Sequence, residues 1–140
     1  MATNLSANKF DNYKSSQQNI RKSFVVNSGS TIYRGALVMV NAAGYLVPAA
    51  NTASCHLAGV ALDKVVGDGT LECEVDIGGA LILVTNDDGS QAQADVGDGQ
   101  WATGDASTQD ASANVKAGLI AEIASATSVW VRLLPFGTQS

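Results

Sequence analysis

The sequence has little of the chemistry that most enzymes and metalloproteins use. It contains one histidine, His56, and two cysteines, Cys55 and Cys73. A structural zinc site usually takes four Cys or His ligands at paired spacing, and this chain has too few. Adjacent residues of an extended chain point to opposite faces, so Cys55 and His56 cannot act as a nucleophile–base pair. We expect no enzyme activity, no catalytic residues, no metal and no cofactor.

Long apolar runs are missing as well. No stretch approaches the roughly 18 consecutive apolar residues that read as a membrane span. Polar residues interrupt residues 1–23 throughout, which excludes the apolar core of a signal peptide. We therefore expect no membrane partner and no export. The two cysteines are then expected to be reduced thiols of a protein made in a cytoplasm.

Charged residues are scarce and unevenly placed. They make up 15% of the chain, against 46% hydrophobic residues, and so low a charge suits a surface that contacts other protein. Residues 1–34 hold five basic residues and one acidic residue, a net charge of +4, whereas residues 35–140 hold three and twelve, a net charge of −9. A basic segment on an acidic body favours an acidic protein partner. It argues against nucleic acid, which needs a basic stripe on the folded part.

Residues 1–23 are predicted to form an extended, polar, basic N-terminal arm, and residues 24–140 a β-rich domain. The arm has too few large apolar side chains to order by itself, so we expect it to order on a neighbouring protein. The apolar residues from Phe10 to Phe24 also fit one face of a short helix, which is the alternative. The arm residues expected to bind the partner are Lys9, Phe10, Tyr13, Lys14, Ile20, Arg21 and Lys22.

From Phe24 onward the pattern is that of β structure. The strongest signal is at 70–77, where apolar residues from Leu71 to Ile77 alternate with acids, and it predicts a strand with one core face and one wet acidic face. Residues 128–134 are apolar on both faces and are predicted to form a strand that is central or contacts a partner. Shorter strands are predicted at 36–40, 45–47, 57–62, 80–84 and 117–123.

Turn signals separate these strands often enough to indicate a small β-barrel or β-sandwich. Gly with Asp or Asn marks turns at 41–44, 67–69, 86–89, 97–99 and 103–105. A short helix between 109 and 117 is a local alternative. A weak repeat relates one series of strands (34–38, 58–62 and 71–75) to a second (99–103, 117–121 and 129–133). Two related β units that close on each other would hide their edges.

The acidic residues do not form a recognisable site in the sequence. Several aspartates from Asp87 to Asp105 stand beside glycine, but residues 86–89 lack the spacing of a calcium loop, so we expect them to form turns. Glu72 and Glu74 point the same way, as two glycosidase acids do, yet an exposed acidic face is the expected role. The Gly-Asp-Gly turns do not match phosphate-binding loops.

Six short motifs follow one another along residues 30–134: Arg34-Gly-Ala-Leu-Val38, Gly44-Tyr-Leu-Val-Pro48, Leu57-Ala-Gly-Val-Ala61, Glu74-Val-Asp-Ile-Gly-Gly-Ala80, Ala117-Gly-Leu-Ile120 and Val129-Trp-Val-Arg-Leu133. Their order resembles the structural cement, or head decoration, proteins of tailed bacteriophages. The resemblance implies a β-barrel-like body on the outer capsid surface of the virion that bridges neighbouring major capsid proteins. It also implies self-association, as a homotrimer or alternatively a dimer, and no catalytic residues. Trp130 is expected to be either an interface anchor or a core residue.

Two other classes of function remain open. A β-rich ligand- or carbohydrate-binding module of a virion fibre would need a small-ligand site, and the sequence shows no clustered surface aromatics for one. An enzyme would need a cryptic site built from Cys55, His56 and Cys73 or from the carboxylates.

Overall fold

A computed structural model of the chain describes residues 3–9, 11–14 and 20–136. These residues form an all-β fold of thirteen strands and one short 3-10 helix (Gln93–Asp95). The predicted class, a small β-barrel or β-sandwich, is confirmed. Within the described ranges no helix has the length and hydropathy of a membrane span. The strands are β1 (Tyr13–Lys14), β2 (Arg21–Val25), β3 (Thr31–Ile32), β4 (Leu37–Val40), β5 (Leu46–Pro48), β6 (His56–Ala61), β7 (Val65–Val66), β8 (Glu72–Asp76), β9 (Leu81–Asn86), β10 (Gly99–Gly104), β11 (Ser107–Gln109), β12 (Lys116–Ser125) and β13 (Ser128–Leu133).

Five strands of the second half of the chain close into a ring, which we call the C-terminal barrel. β9 pairs with β13, β13 with β12, β12 with β10 and β10 with β11, all antiparallel, and β11 returns to β9 in parallel. β11 covers only the end of β9. The rest of that edge pairs with β1, through Tyr13 opposite Ile82 and Lys14 opposite Leu81. The arm therefore completes the sheet that the barrel leaves open.

The first half of the chain forms a second unit, which we call the N-terminal barrel. Its strands follow the order β2-β8-β6-β4-β5, and every pairing in it is antiparallel. A single parallel bridge between Val26, just after β2, and Leu46 of β5 closes the unit. β3 and β7 form a separate two-stranded sheet.

The two barrels repeat one strand order. β2, β4, β5, β6 and β8 correspond in turn to β9, β10, β11, β12 and β13, and the closing contact is parallel in both. The irregularities also correspond: the β4–β6 register shifts at Ala58, just before Gly59, and the β10–β12 register shifts at Ala117, just before Gly118. The repeat predicted from the sequence is thus present in the strand pairing.

The two equivalent glycines allow a neighbouring strand to come close. A Cβ atom on Gly59 would lie 2.0 Å from the carbonyl oxygen of Asp76, and one on Gly118 would lie 1.9 Å from the carbonyl oxygen of Arg132. Both distances are far shorter than any van der Waals contact. The Ala-Gly step of each unit is therefore required by backbone packing.

Two apolar clusters form the core. The first cluster fills the N-terminal barrel. The second cluster combines the interior of the C-terminal barrel with side chains that point outward from the N-terminal barrel. Because side chains alternate along a strand, β4 places Val38 in the first cluster and Leu37 and Met39 in the second. Burying a side chain such as Leu37, which is fully inaccessible, contributes about 1.5–3 kcal/mol. The barrels pack against each other as one body.

Most predicted strands are present, within a residue or two of their predicted bounds, and β13 is central, since it pairs with both β12 and β9. The prediction for β8 is wrong at its two ends. Leu71, expected on the core face, is 51% exposed, and Asp76, expected on the wet face, is buried and accepts a hydrogen bond from the Gly78 N–H at 3.1 Å. The helix alternative at 109–117 is also wrong, because β11 and β12 occupy both ends of that range.

Candidate functional site

The first described residues of the arm lie against the turn between β10 and β11. Thr3 accepts a hydrogen bond from the Ala106 N–H at 3.0 Å and donates its own N–H to Ser107 Oγ at 2.8 Å. Leu5 donates its N–H to Asp105 Oδ1 at 2.7 Å. All three bonds use the arm backbone and fix an extended segment, and the Asn4 side chain adds another contact, because its Oδ1 accepts a hydrogen bond from the Asp105 N–H at 3.1 Å.

Asp105 is a buried carboxyl at this contact, with 3% of its surface exposed. Burial raises its pKa to about 6, and the Leu5 N–H and its own backbone N–H only partly offset that effect. A group that loses hydration favours its neutral form. With the arm in place, Asp105 is therefore an acid that titrates close to neutral pH.

A second set of hydrogen bonds joins the arm to both barrels. The Lys9 N–H donates to the Arg34 carbonyl at 2.8 Å, and Asn12 Nδ2 donates to the Gly35 carbonyl at 2.9 Å. The Asn12 carbonyl also accepts from the N–H of Leu83, in β9, at 2.7 Å. Asn12 thus touches the N-terminal barrel with its side chain and the C-terminal barrel with its backbone.

β1 places Tyr13 and Lys14 on the C-terminal barrel. Tyr13 is partly buried and packs against the second core cluster. Lys14 is exposed, and its Nζ lies 5.3 Å from the centroid of the Trp130 ring, a cation–π distance. Trp130 is half-buried in β13. Its indole lies under the arm cation at the surface of the barrel.

The last arm residues lead into the N-terminal barrel. Ile20 is 45% exposed. Arg21 Nη1 lies 3.1 Å from Glu74 Oε1, an exposed ion pair of a kind that contributes little to stability. Lys22 Nζ lies 5.5 Å from the ring centroid of Phe24. β2 therefore runs across the boundary between residues 23 and 24 at which the sequence separates arm from domain.

Six of the seven arm residues predicted to bind a partner are described; Tyr13 is partly buried against the core, and the other five are exposed. These residues are Lys9, Tyr13, Lys14, Ile20, Arg21 and Lys22. Phe10 lies outside the described residues. The helix alternative for the arm is wrong where it can be compared, because Tyr13 and Phe24 lie in separate strands. The role of these residues toward another protein stays a prediction.

The cysteines have the electrostatics of packing residues. Burial raises the pKa of Cys55, whose thiol donates to the Ala53 carbonyl at 3.6 Å. Burial also raises the pKa of Cys73, to about 11. His56 is exposed at the start of β6. Because the thiolate is the reactive form of cysteine, a raised pKa is the opposite of what a nucleophile needs.

The acidic and amide residues of the turns satisfy backbone groups. Asn86 Oδ1 accepts from the N–H groups of Asp88 and Gly89, and Asp68 Oδ1 accepts from the N–H of Thr70. Hydrogen bonds from Leu71 and Thr70 lower the pKa of Asp68. Across the described ranges, no group of three or more His, Cys, Asp and Glu side chains could hold a metal ion.

A buried polar network at one end of the C-terminal barrel was not predicted. Asn86 Nδ2 and Thr108 Oγ1 donate to Gln100 Oε1 at 2.8 and 2.6 Å, and all three residues are almost inaccessible. Gln100 Nε2 and Gln91 Nε2 donate to the Asp110 carboxylate at 2.7 and 2.9 Å. Desolvation raises the pKa of Asp110, but the amide donors outweigh it and hold the pKa below its ordinary value.

The N-terminal barrel is apolar at the same positions. The equivalents of Asn86, Gln100 and Thr108 are Val26, Val38 and Leu46, which the strand pairings align one by one. The network could have been predicted by aligning the two repeats in the sequence, because three apolar residues of the first repeat are replaced by three hydrogen-bonding residues in the second. Since the polar side chains bind mainly one another, the network stiffens the barrel end and forms no open site.

A groove of about 540 Å³ lies between the β5–β6 connection and β10. Trp101, His56 and Asn114 are among its lining residues. The Lys116 Nζ lies 5.4 Å from the Trp101 ring centroid and partly covers the indole. Trp101 provides the one large aromatic ring among the lining residues, and His56 adds an imidazole.

The fold and these contacts define a class of protein: a duplicated β-barrel body carrying a basic arm that lies across both halves. No protein-family model matches the chain, and a search of curated proteins finds no match.

Proposed function

We propose that the protein decorates the outer surface of a tailed-phage head and stabilises the contacts between neighbouring major capsid proteins. The observation that carries the proposal is the placement of the basic arm. The arm is held across both barrels through its backbone and its asparagine side chains, while the side chains of Lys9 and Lys14 are exposed. The motifs that resemble head decoration proteins overlap β4, β5, β6, β8, β12 and β13, which belong to the framework of the two barrels.

The mechanism we infer is electrostatic docking of the basic arm on an acidic capsid surface, with many copies of the protein bound to each head. The arm cations belong to a segment of net charge +4, whereas the rest of the chain carries −9 and would repel an acidic partner. Attachment to an acidic capsid surface is therefore best made through the arm face. Because a capsid presents the same site many times, modest contacts from each copy add up to firm attachment when copies are linked.

The partners in this proposal are the major capsid protein and other copies of the chain, in the virion. The resemblance favours a homotrimer, with a dimer as the alternative. Nucleic acid and membrane have no place in it. Trp130 contributes by holding Lys14 at the surface, with the Lys14 Nζ 5.3 Å from the centroid of its ring.

The test is binding to purified heads of the phage that encodes the protein, with occupancy measured by quantitative mass spectrometry. The double substitution Lys9→Glu with Lys14→Glu reverses the arm charge, and we expect occupancy to fall at least tenfold. The control is Lys64→Glu with Lys116→Glu, which makes the same charge change on the body. Each of those lysines also covers an aromatic ring, Tyr33 or Trp101, at 5.3 or 5.4 Å.

Equal loss of binding in both double variants would show that net charge matters and arm position does not. Absence of the protein from purified heads would end the proposal. Mass spectrometry of those heads is therefore the first measurement to make.

The groove beside Trp101 supports a second candidate function, that of a carbohydrate- or ligand-binding module of a virion fibre. The indole ring of Trp101, which lines a groove of about 540 Å³, is the feature that favours this second function. Titration with simple sugars, followed by Trp fluorescence in the wild type and in Trp101→Phe, distinguishes the two functions. A saturable signal lost in the variant would favour this second candidate.

A further inference from the structure

One row of side chains crosses the outside of the C-terminal barrel, and we call it the outer row. Lys14 of β1 pairs with Leu81 of β9, which also pairs with Arg132 of β13. On its other side Arg132 pairs with Leu119 of β12. Paired residues of antiparallel strands point their side chains to the same face of the sheet. The four side chains therefore form one line, three strand spacings or about 14 Å long.

The outer row faces solvent. Both of its cations are exposed, Leu119 is 44% exposed and Leu81 is half-buried. The neighbouring residues along the same strands point into the barrel and belong to the second core cluster: Ile82, Ile120 and Val131. The outer row thus presents two leucines and two cations on the side of the sheet that the barrel does not use for its own core.

The first repeat has an equivalent row, and there the chain covers it. Val60 of β6 pairs with Asp76 of β8, and these residues correspond to Leu119 and Arg132. Both are buried, and Val60 belongs to the second core cluster, in which the two barrels meet. The row is therefore a protein-contacting surface in the N-terminal barrel, and its equivalent in the C-terminal barrel is uncovered.

Charge indicates what kind of partner fits this surface. Arg132 is one of three basic residues in the range 35–140, which has twelve acidic residues. It forms no ion pair within the described ranges. β1, β9, β12 and β13 together contain one acid, Glu122, which lies opposite Trp130 in the next row. The outer row itself carries only positive charge, so it attracts an acidic protein surface.

We propose that the outer row binds the major capsid protein, with a capsid carboxylate held between Lys14 and Arg132 and a capsid apolar side chain packed on Leu119. This inference rests on the proposed function and adds a face of the barrel to the contact made by the arm. The acidic character of the row's partner follows from its two cations, and the apolar part follows from the exposed leucine.

The spacing of the two cations suits a single carboxylate. Lys14 and Arg132 flank Leu81, so their backbones are two strand spacings or about 10 Å apart. Lys14 leans across β9, because its Nζ lies 5.3 Å from the ring centroid of Trp130 in β13. Arg132 supplies a planar guanidinium, which binds a carboxylate through two parallel hydrogen bonds. Both side chains are long enough to meet above Leu81.

Binding of the full chain to purified heads that lack it tests the inference. Arg132→Gln removes a cation and Leu119→Ser removes the apolar group, and each should raise the Kd at least fivefold, through loss of a charged hydrogen bond or of buried apolar area. The matched controls are Lys64→Gln and Val66→Ser, which make the same changes at exposed positions of the N-terminal barrel. Their Kd should stay within about twofold of the wild type.

Carbodiimide cross-linking locates the contact directly. Arg132→Lys keeps the positive charge and supplies an amine, so a zero-length cross-link should join position 132 to an Asp or Glu of the capsid protein. Mass spectrometry of the digested heads identifies the joined peptides. Lys64, an exposed amine of the N-terminal barrel, is the internal control and should give no such link.

The outcomes separate this inference from the proposed function. If Arg132→Gln and Leu119→Ser bind like the wild type while Lys9→Glu with Lys14→Glu does not, the outer row has no role and docking through the arm stands. Cross-links to the capsid from Lys64 but not from position 132 would also overturn the inference. If the wild type does not bind heads at all, the proposed function fails and the inference fails with it.

Discussion

Replacing either equivalent glycine by alanine should destabilise the protein strongly. A Cβ on Gly118 would lie 1.9 Å from the Arg132 carbonyl, and ordinary contact begins near 3.4 Å, so β12 and β13 would have to separate by roughly 1.5 Å. Overpacking of this kind costs about 1–3 kcal/mol. A separation that large also breaks about two strand hydrogen bonds, at about 1 kcal/mol each. The expected loss is about 3–5 kcal/mol.

Gly59→Ala should cost at least as much, because its Cβ meets the Asp76 carbonyl at 2.0 Å and its φ is +152°. The control is Gly29→Ala, at φ +85° with nothing within 4 Å, which carries only backbone strain of about 1–2 kcal/mol. Urea unfolding followed by tryptophan fluorescence measures all three free energies of unfolding. If Gly118→Ala costs no more than Gly29→Ala, the close strand approach in the two repeats is not a real constraint.

Three further predictions concern buried polar groups and thiols. Burial raises the pKa of Asp105 to about 6, so the folded protein binds this proton more tightly than the unfolded chain does. The contribution of Asp105 to the free energy of unfolding is therefore favourable below about pH 4 and is lost as the pH rises through 6. Asp105→Asn should flatten that part of the stability–pH curve and raise the free energy of unfolding at pH 7 by on the order of 1–3 kcal/mol. A curve that stays equally steep in the variant would contradict this. Asp110→Ala leaves the Gln100 and Gln91 amides without their acceptor and should cost about 1–3 kcal/mol in urea unfolding, whereas Asp98→Ala on the exposed side should be neutral. Cys73, fully buried with a pKa near 11, should react with Ellman's reagent at pH 8 only after unfolding, and rapid labelling of the native protein would refute its placement.

Periodicity was enough to predict the central strands. Residues 70–77 alternate clearly, and Cys73 and Val75 are fully buried as expected. The same rule fails at the ends of β8, where Asp76 is buried beside the Gly78 turn and Leu71, the residue before the strand, is 51% exposed. The alternation of apolar and polar residues predicts which side chains are buried in the middle of a strand, but it does not predict burial at the ends of the strand.

The arm shows a different limit of sequence reasoning. Arg21-Lys22-Ser23 has no apolar residue, so composition assigns it to the arm, yet it pairs with β8 residue by residue. Backbone hydrogen bonds do not depend on side-chain type, and so an edge strand leaves little trace in hydropathy. The contacts of Thr3 and Leu5 escape sequence analysis for the same reason.

The buried polar network of the C-terminal barrel can be predicted from an alignment of the two repeats. Asn86 and Asp110 resemble turn residues when taken alone. Set against the first unit, Asn86 takes the place of Val26 and Gln100 that of Val38, both in a packed interior. The sequence holds the alignment, but only the closed barrel shows that these positions face inward and must find hydrogen bonds.

The hydrogen bond between Thr3 and Ser107 joins residues 104 positions apart. During synthesis residues 3–5 leave the ribosome long before the β10–β11 turn has been made, so they have no docking site until then. Contacts of such long range form late and slow the folding of a domain. Residues 3–5 are therefore synthesised well before their docking site and are among the last to reach their places, after both barrels have formed.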